Sequence, residues 1–238
     1  MKCDRLSIMR YSIFPGLLII PVLGISTAGL SQDVAPSKAA EPLVDVAKVD
    51  PTIVIDLRYA TPRNVTGQPI YPQGTRCLVR SGVAEKLKVA QQYLWLRGYG
   101  LKIWDAYRPE YAQKILWDAV KTYEFAADPA KGRALHTWGV AVDVTLVDRK
   151  KNELSMPTDF DDFTAAANDI YLGGDPAVAL HLRLLKHAMH LAGFYGFYPE
   201  WWHYMDKDWK NYKVVEAADI PPPEGSYDRF LEWVRRLF

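Results

Sequence analysis

Two short stretches carry residues that could do chemistry together. In "GRALHTWGVAVDVTL", Gly132 to Leu146, a strand-like apolar run contains Asp143, and His136 stands seven residues before it. In "PEWWHYMD", Glu200 and His203 sit three apart among Trp201, Trp202 and Tyr204. Such aromatic density implies burial, and a buried carboxylate needs a partner. His136, Asp143 and His203 would make a two-imidazole, one-carboxylate set for one divalent metal such as zinc, with water in the fourth position. Glu200 would be the spare carboxylate beside that water. Each residue also has an ordinary reading. Asp143 fits the polar face of a half-exposed strand, His136 a surface loop, and Glu200 and His203 the wet ends of an aromatic core edge. Ala141 weighs against the first, because a small apolar neighbour does not suit a solvated face and leaves room for an approaching group.

The remaining histidines fit less well. His181, His187 and His190 share one helical segment, with the last two off its apolar stripe and no carboxylate to complete a site. "WDAYRPEYA" places Arg108 at a strand-to-helix corner, where a surface arginine is the ordinary expectation. There is no Gly-rich phosphate loop and no nucleophile elbow.

The elements that position these residues follow from periodicity. "TIVIDLRYAT" alternates like a first strand, and "PRNVTGQPIYPQG" is a loop. Ser81 is placed to cap a helix that buries Val83, Leu87, Ala90 and Leu94 and ends at Gly98. "LKIW" is a short strand. Pro109 opens a helix reaching about Lys121. Val140 to Val147 is a strand with Val140, Val142, Val144 and Leu146 on one face and Ala141, Asp143 and Thr145 on the other. Asp175 and Pro176 start a helix that buries Val178, Leu182, Leu185 and Met189 and ends at Gly193. "GFYGFYPEWWHYM" is strand-like, Pro221 to Pro223 a stiff spacer, and Tyr227 to Phe238 a final helix. Helices and strands mix without a βαβ repeat, which predicts an α+β single domain with a small antiparallel sheet flanked by helices.

The chain has 238 residues, 49% of them hydrophobic, enough for one sizeable core. A net charge of +1 with no basic block gives no case for nucleic acid. The start differs from the rest. A positive segment precedes the apolar run from Ile13 to Ile25, and Ser26-Thr27-Ala28 supplies small residues for cleavage. This predicts a signal peptide at 1–28, a flexible Ser/Ala/Pro-rich segment at 29–42, and a domain at 43–238. The apolar run is short for a membrane span. The expected protein is therefore exported, to a bacterial periplasm or beyond, with no stable membrane span after cleavage. Of the two cysteines, cleavage removes Cys3, so Cys77 has no intrachain partner and reads as a small buried hydrophobe.

"WDAYRP", "HTWGVAVD" and "EWWHYMD", together with "DLRYATPRNVTGQPIY", resemble the zinc-dependent D-alanyl-D-alanine dipeptidases, in the right order over about Val49 to Asp206. That group shares its fold with peptidoglycan DD-peptidases and the hedgehog signalling domain. The resemblance implies one Zn2+ per chain held by His136, Asp143 and His203. It implies Glu200 as general base and acid, and Arg108 as stabiliser of the developing oxyanion. By the same resemblance, Tyr59 lines the site, and Asp161 meets the substrate's amino terminus, with Asp159 or Asp162 as alternatives. The family usually has Ser where this chain has Ala134, which bears on substrate preference and not on metal binding. The implied activity is hydrolysis of D-Ala-D-Ala. A DD-carboxypeptidase or endopeptidase acting on longer wall peptides, and a non-catalytic metal-stabilised module, are the competing readings. The free carboxylate of Glu200 argues against the last, since a purely structural site has no open position to serve.

Overall fold

A computed structural model describes residues 41–120, 134–216 and 219–220. The signal peptide, the flexible segment up to Ala40, Lys121, Pro221 to Pro223 and the helix expected at Tyr227 to Phe238 lie outside the described residues.

The expected α+β architecture is present. Seven strands are described: β1 (Leu43–Asp45), β2 (Val54–Ile55), β3 (Leu78–Arg80), β4 (Tyr99–Asp105), β5 (Ala141–Asp148), β6 (Phe194–Phe197) and β7 (Glu200–Asp206). Four helices accompany them: α1 (Val46–Val49), α2 (Ser81–Trp95), α3 (Glu110–Val120) and α4 (Pro176–Leu191). The main sheet has five strands in the order β2-β4-β5-β7-β6, and β1 pairs with β3 in a separate ribbon. The sheet is antiparallel except at one edge, where β2 runs parallel to β4.

Helices α2 and α4 pack on each other and on the sheet. The periodic residues do the burying: Val83, Leu87, Ala90 and Leu94 from α2, and Leu182, Leu185 and Met189 from α4, join Val142, Val144 and Leu146 of β5 in one core. Asp175 caps α4 by accepting from the Ala177 amide at 2.8 Å, and Pro176 occupies the first turn. Free Cys77 is buried.

Several local expectations need correction. The strand read into "TIVIDLRYAT" shrinks to Val54–Ile55, and Arg58–Ala60 form a 3-10 turn instead. Here hydrogen bonding within the turn outweighs the alternating pattern. Ser81 is the first helical residue rather than the cap, and its hydroxyl points to Glu41. The strand carrying Asp143 is not half-exposed. β5 is the central strand, and every residue from Ala141 to Val147 is buried.

Arg80 ties distant segments together. Its buried guanidinium donates to the carbonyls of Trp138 (3.1 Å), Glu41 (2.7 Å) and Lys213 (2.9 Å).

Candidate active site

The site stands in a row across three neighbouring strands. Asp105 of β4 pairs with Asp143 of β5, which pairs with His203 of β7. Directly opposed residues of paired strands share a face, so three polar side chains come together on the sheet. The pairing shifts between Ile103 and Asp105. One extra residue there turns Asp105 to the face that Asp143 uses. A second irregularity, where Gly196 faces Tyr204 but Phe197 faces Glu200, has a similar effect. In a regular strand Glu200 and His203 would point to opposite faces; here Glu200 Oε2 lies 4.0 Å from His203 Nδ1.

His136 arrives from the 3-10 turn Leu135–Trp138, which Gly139 closes in the left-handed region at φ 69°. Its Nδ1 donates to the Ala106 carbonyl at 2.7 Å. In the neutral ring this leaves a lone pair on Nε2. That atom lies 3.1 Å from His203 Nδ1 and 3.4 Å from Asp143 Oδ1, and His203 Nδ1 lies 2.9 Å from Asp143 Oδ1. Ligands bound to one tetrahedral cation at about 2.0–2.2 Å stand roughly 3.3–3.5 Å apart. The three atoms thus need to open only slightly to hold an ion. Among the described residues, this is the one group of His, Cys, Asp and Glu side chains with metal-holding geometry.

The electrostatics fit that use. Burial alone would raise the Asp143 carboxyl, but the imidazoles of His136 and His203 outweigh it and hold it well below the usual carboxylate range. Burial pushes His203 down, which keeps the ring neutral and able to donate a lone pair. Burial, with Asp143 and Asp161 adding, pushes Glu200 well above its ordinary value.

Arg108 is a buried residue rather than a surface one. Its Nε and Nη2 meet Asp105 Oδ2 at 2.9 and 2.7 Å, Nη1 donates to Gln113 Oε1 at 2.9 Å, and Nη2 stands 3.6 Å from Asp143 Oδ2. Tyr59 lies beneath it, with the guanidinium carbon 4.8 Å from the ring centroid. The Tyr59 hydroxyl donates to Asp161 Oδ1 at 3.1 Å, and the Val65 amide donates to Oδ2 at 2.9 Å. Asp161 has a φ of 59°, a conformation that costs energy in a non-glycine residue and is common where side chains are aimed for function. Asp159 turns instead to Arg58 at 3.3 Å. Ala134 is buried, and its carbonyl accepts from the Thr137 amide at 2.9 Å and hydroxyl at 2.8 Å.

All seven site residues expected from the sequence therefore lie in one connected cluster. Residues 39–217 match the Peptidase_M15 family model, described as D-ala-D-ala dipeptidase. The chain belongs to this family. The D-alanyl-D-alanine dipeptidase of Escherichia coli (strain K12) is 37% identical over 193 residues, covering 79% of this chain and 93% of that protein. That of Enterococcus faecalis (strain ATCC 700802 / V583) is 33% identical over 168 residues, covering 63% of this chain and 83% of that protein. Among solved structures, a vancomycin resistance D,D-pentapeptidase in complex with Zn(II) is 14% identical, with a TM-score of 0.40 and coverage of 59% of this chain and 79% of that one.

In this member of the D-Ala-D-Ala dipeptidase family, sequence reasoning overlooked the residues that hold Arg108. Asp105 is fully buried and accepts from the Tyr71 hydroxyl at 2.5 Å as well as from Arg108. The signal was there in "WDAYRP", a carboxylate next to an apolar strand. Nothing marked Tyr71, in a loop dense with Pro and Gly, or Gln113, a polar helix residue that the fold buries. Among the described residues, no helix is long and apolar enough to cross a membrane.

Proposed function

We propose that this chain is a zinc-dependent dipeptidase that hydrolyses D-Ala-D-Ala. One observation carries the reading: three potential ligand atoms, on His136, Asp143 and His203, lie 2.9–3.4 Å from one another, with Glu200 beside them and Arg108 against Asp143. The names of the relatives support the substrate.

His136, Asp143 and His203 would hold the ion. When bound, zinc supplies Lewis acidity, which lowers the pKa of water to about 7 and polarises a carbonyl. Glu200 takes a proton from the attacking water and later gives one to the departing amine. Its raised affinity for protons suits both transfers. Arg108, fixed by Asp105 and Gln113, faces the negative charge that develops on the scissile carbonyl oxygen. The C–N bond breaks, and two free amino acids leave without a covalent intermediate. Asp161, with Tyr59 behind it, supplies an anion for the substrate's ammonium group. A longer peptide carries a neutral amide there and leaves that anion unpaired, which is costly in a desolvated site.

Export follows from the N-terminal pattern, with a mature chain starting near Gly29. An exported enzyme meets dipeptides released from the wall, which suits recycling or nutrition. N-terminal sequencing of secreted protein checks this, and an intact Met1 contradicts it.

The deciding experiment measures zinc content and turnover together. Purified protein should hold one zinc, and His136→Ala should lose it. Free D-Ala-D-Ala should be cleaved far faster than its N-acetyl form or a wall pentapeptide. Stoichiometric zinc in His136→Ala removes the ligand assignment. Equal turnover of the three substrates replaces the dipeptidase with a carboxypeptidase.

A further inference from the structure

Asp159, Phe160 and Asp161 are gripped at three consecutive positions. Asp159 Oδ1 meets Arg58 Nη1 at 3.3 Å. Phe160 enters an aromatic cluster, with its ring centroid 5.3 Å from Tyr59, 5.4 Å from Trp104 and 5.8 Å from Trp202. Asp161 turns back in the left-handed region to Tyr59 and the Val65 amide. The two residues that hold the acidic pair, Arg58 and Tyr59, are adjacent in one 3-10 turn. That turn is itself firmly bonded. The Arg58 carbonyl accepts from the Thr61 amide at 3.0 Å, and the Tyr59 carbonyl accepts from the amides of Ile70 and Tyr71, each at 2.8 Å.

Arg58 also meets Asp56 Oδ2 at 3.2 Å and Glu153 Oε2 at 3.1 Å, and its guanidinium carbon lies 4.8 Å from the Trp104 ring centroid. Its side chain is 1% exposed, whereas that of Asp159 is 67% exposed. One carboxylate would satisfy the buried cation, and a carboxylate so exposed as Asp159 needs no partner of its own. Contacts to Glu153 and Asp159, at the two ends of the segment leading to Asp161, instead fix where that segment runs.

We propose that Arg58 is a positioning residue that determines specificity: by pinning Asp159 and Glu153 it sets where Asp161 presents its carboxylate, and so sets the preference for a free amino terminus. This rests on the dipeptide reading above. Arg58 itself does not touch the substrate. A rigid fork bonded to three carboxylates holds a loop more closely than a point charge would.

The test uses mature, zinc-loaded protein with Arg58→Gln and the gentler Asp159→Ala. KM and kcat are measured on D-Ala-D-Ala and on its N-acetyl form, with hydrogen exchange at the Val65 amide, which bonds to Asp161. Arg58→Gln should raise the KM for free dipeptide on the order of tenfold while kcat stays within about twofold, because a small misplacement of a binding group is costly. The preference for the free dipeptide should shrink, and Val65 should lose protection. Asp159→Ala should move all three in the same direction by less, and it decides the matter should Arg58→Gln not fold. Unchanged KM and Val65 protection in both variants overturn the proposal, as does a loss of active protein with the preference intact. A wild type that does not cleave the free dipeptide overturns the dipeptide reading instead, and Val65 protection then decides the positioning role by itself.

Discussion

Asp105 and Arg108 form a buried ion pair three residues apart, in which one carboxylate oxygen receives both Nε, at 2.9 Å, and Nη2, at 2.7 Å. The same carboxylate takes the Tyr71 hydroxyl on its other oxygen and comes within 3.5 Å of His136 Nδ1. One acid therefore orients the guanidinium and stands beside the His136 imidazole.

Asp105→Asn keeps the shape and removes the charge. Breaking a buried pair leaves an uncompensated cation and costs about 3–5 kcal/mol. The amide still accepts hydrogen bonds, so the low end applies. For a domain of this size, about 3 kcal/mol is a Tm loss of roughly 6–12 °C. A misaimed Arg108 should also lower kcat on the order of 10²-fold. Calorimetry and steady-state kinetics on the folded variant check both. Wild-type kcat in a destabilised variant would separate Asp105 from catalysis.

Glu200→Gln should retain zinc and the fold yet lose about 10²–10⁴-fold in turnover, the usual contribution of a general acid–base group. Metal analysis beside kinetics reads this directly. Activity near wild type in a zinc-loaded variant would remove Glu200 from the mechanism.

On the proposed reading of Asp161, substrate binding should depend on pH. Burial, with Asp143 adding, pushes its carboxyl up to about 7, against the pull of the Val65 amide, Arg108 and Tyr59. Below that pH the protonated acid offers no anion to an ammonium group. The KM for free dipeptide should therefore rise as pH falls through about 7, and Asp161→Asn should flatten this dependence. Stability has the opposite sign. The folded state keeps this proton at pH values where the unfolded chain has released it, so Asp161 weakens the fold progressively from pH 3.8 to about 7. Thermal scans of the substrate-free protein should show Asp161→Asn gaining on wild type across that window and matching it below. A constant difference at every pH would contradict the assignment.

Gly139→Ala tests the turn that delivers His136. At φ 69° an added Cβ costs about 1–2 kcal/mol. It would also stand 2.6 Å from Leu43 Cδ2, so the buried Leu43 side chain must shift. Lower Tm together with weaker zinc retention is expected from calorimetry and metal titration. Unaltered zinc affinity would show that the turn adjusts without moving the ligand.

The parts of this site that could be read in the sequence were those whose chemistry is costly to misplace. A carboxylate inside an apolar strand and a histidine hemmed in by tryptophans each have few physical explanations, and Asp143 and His203 stood out that way, whereas Arg108 read as a surface arginine until the family resemblance placed it in the site. The helices followed from periodicity, because α2 and α4 each bury one stripe. What stayed hidden depends on pairing. The shift beside Trp104 that turns Asp105 inward, and the slip beside Phe197 that turns Glu200, are properties of two strands together, and neither strand shows them alone. The 3-10 turn at Arg58 read as strand because alternation is a local signal, whereas the turn, once closed, is anchored by the distant Ile70 and Tyr71 amides on the Tyr59 carbonyl. Asp159, Asp161 and Asp162 were singled out by the resemblance and not by any local signal, because the cation that meets Asp159 lies about a hundred residues earlier.

The three carbonyls held by Arg80 have a consequence for engineering. Two of them, at Glu41 and Lys213, lie near the two ends of the described residues, and the third, at Trp138, belongs to the turn that carries His136. Segments far apart in the sequence thus meet within the reach of a single side chain. A chain cut at the exposed Gly173–Gly174 pair would leave Lys213 on one fragment and Arg80, Glu41 and Trp138 on the other. That one side chain would then act as a clasp between two complementing halves of the protein.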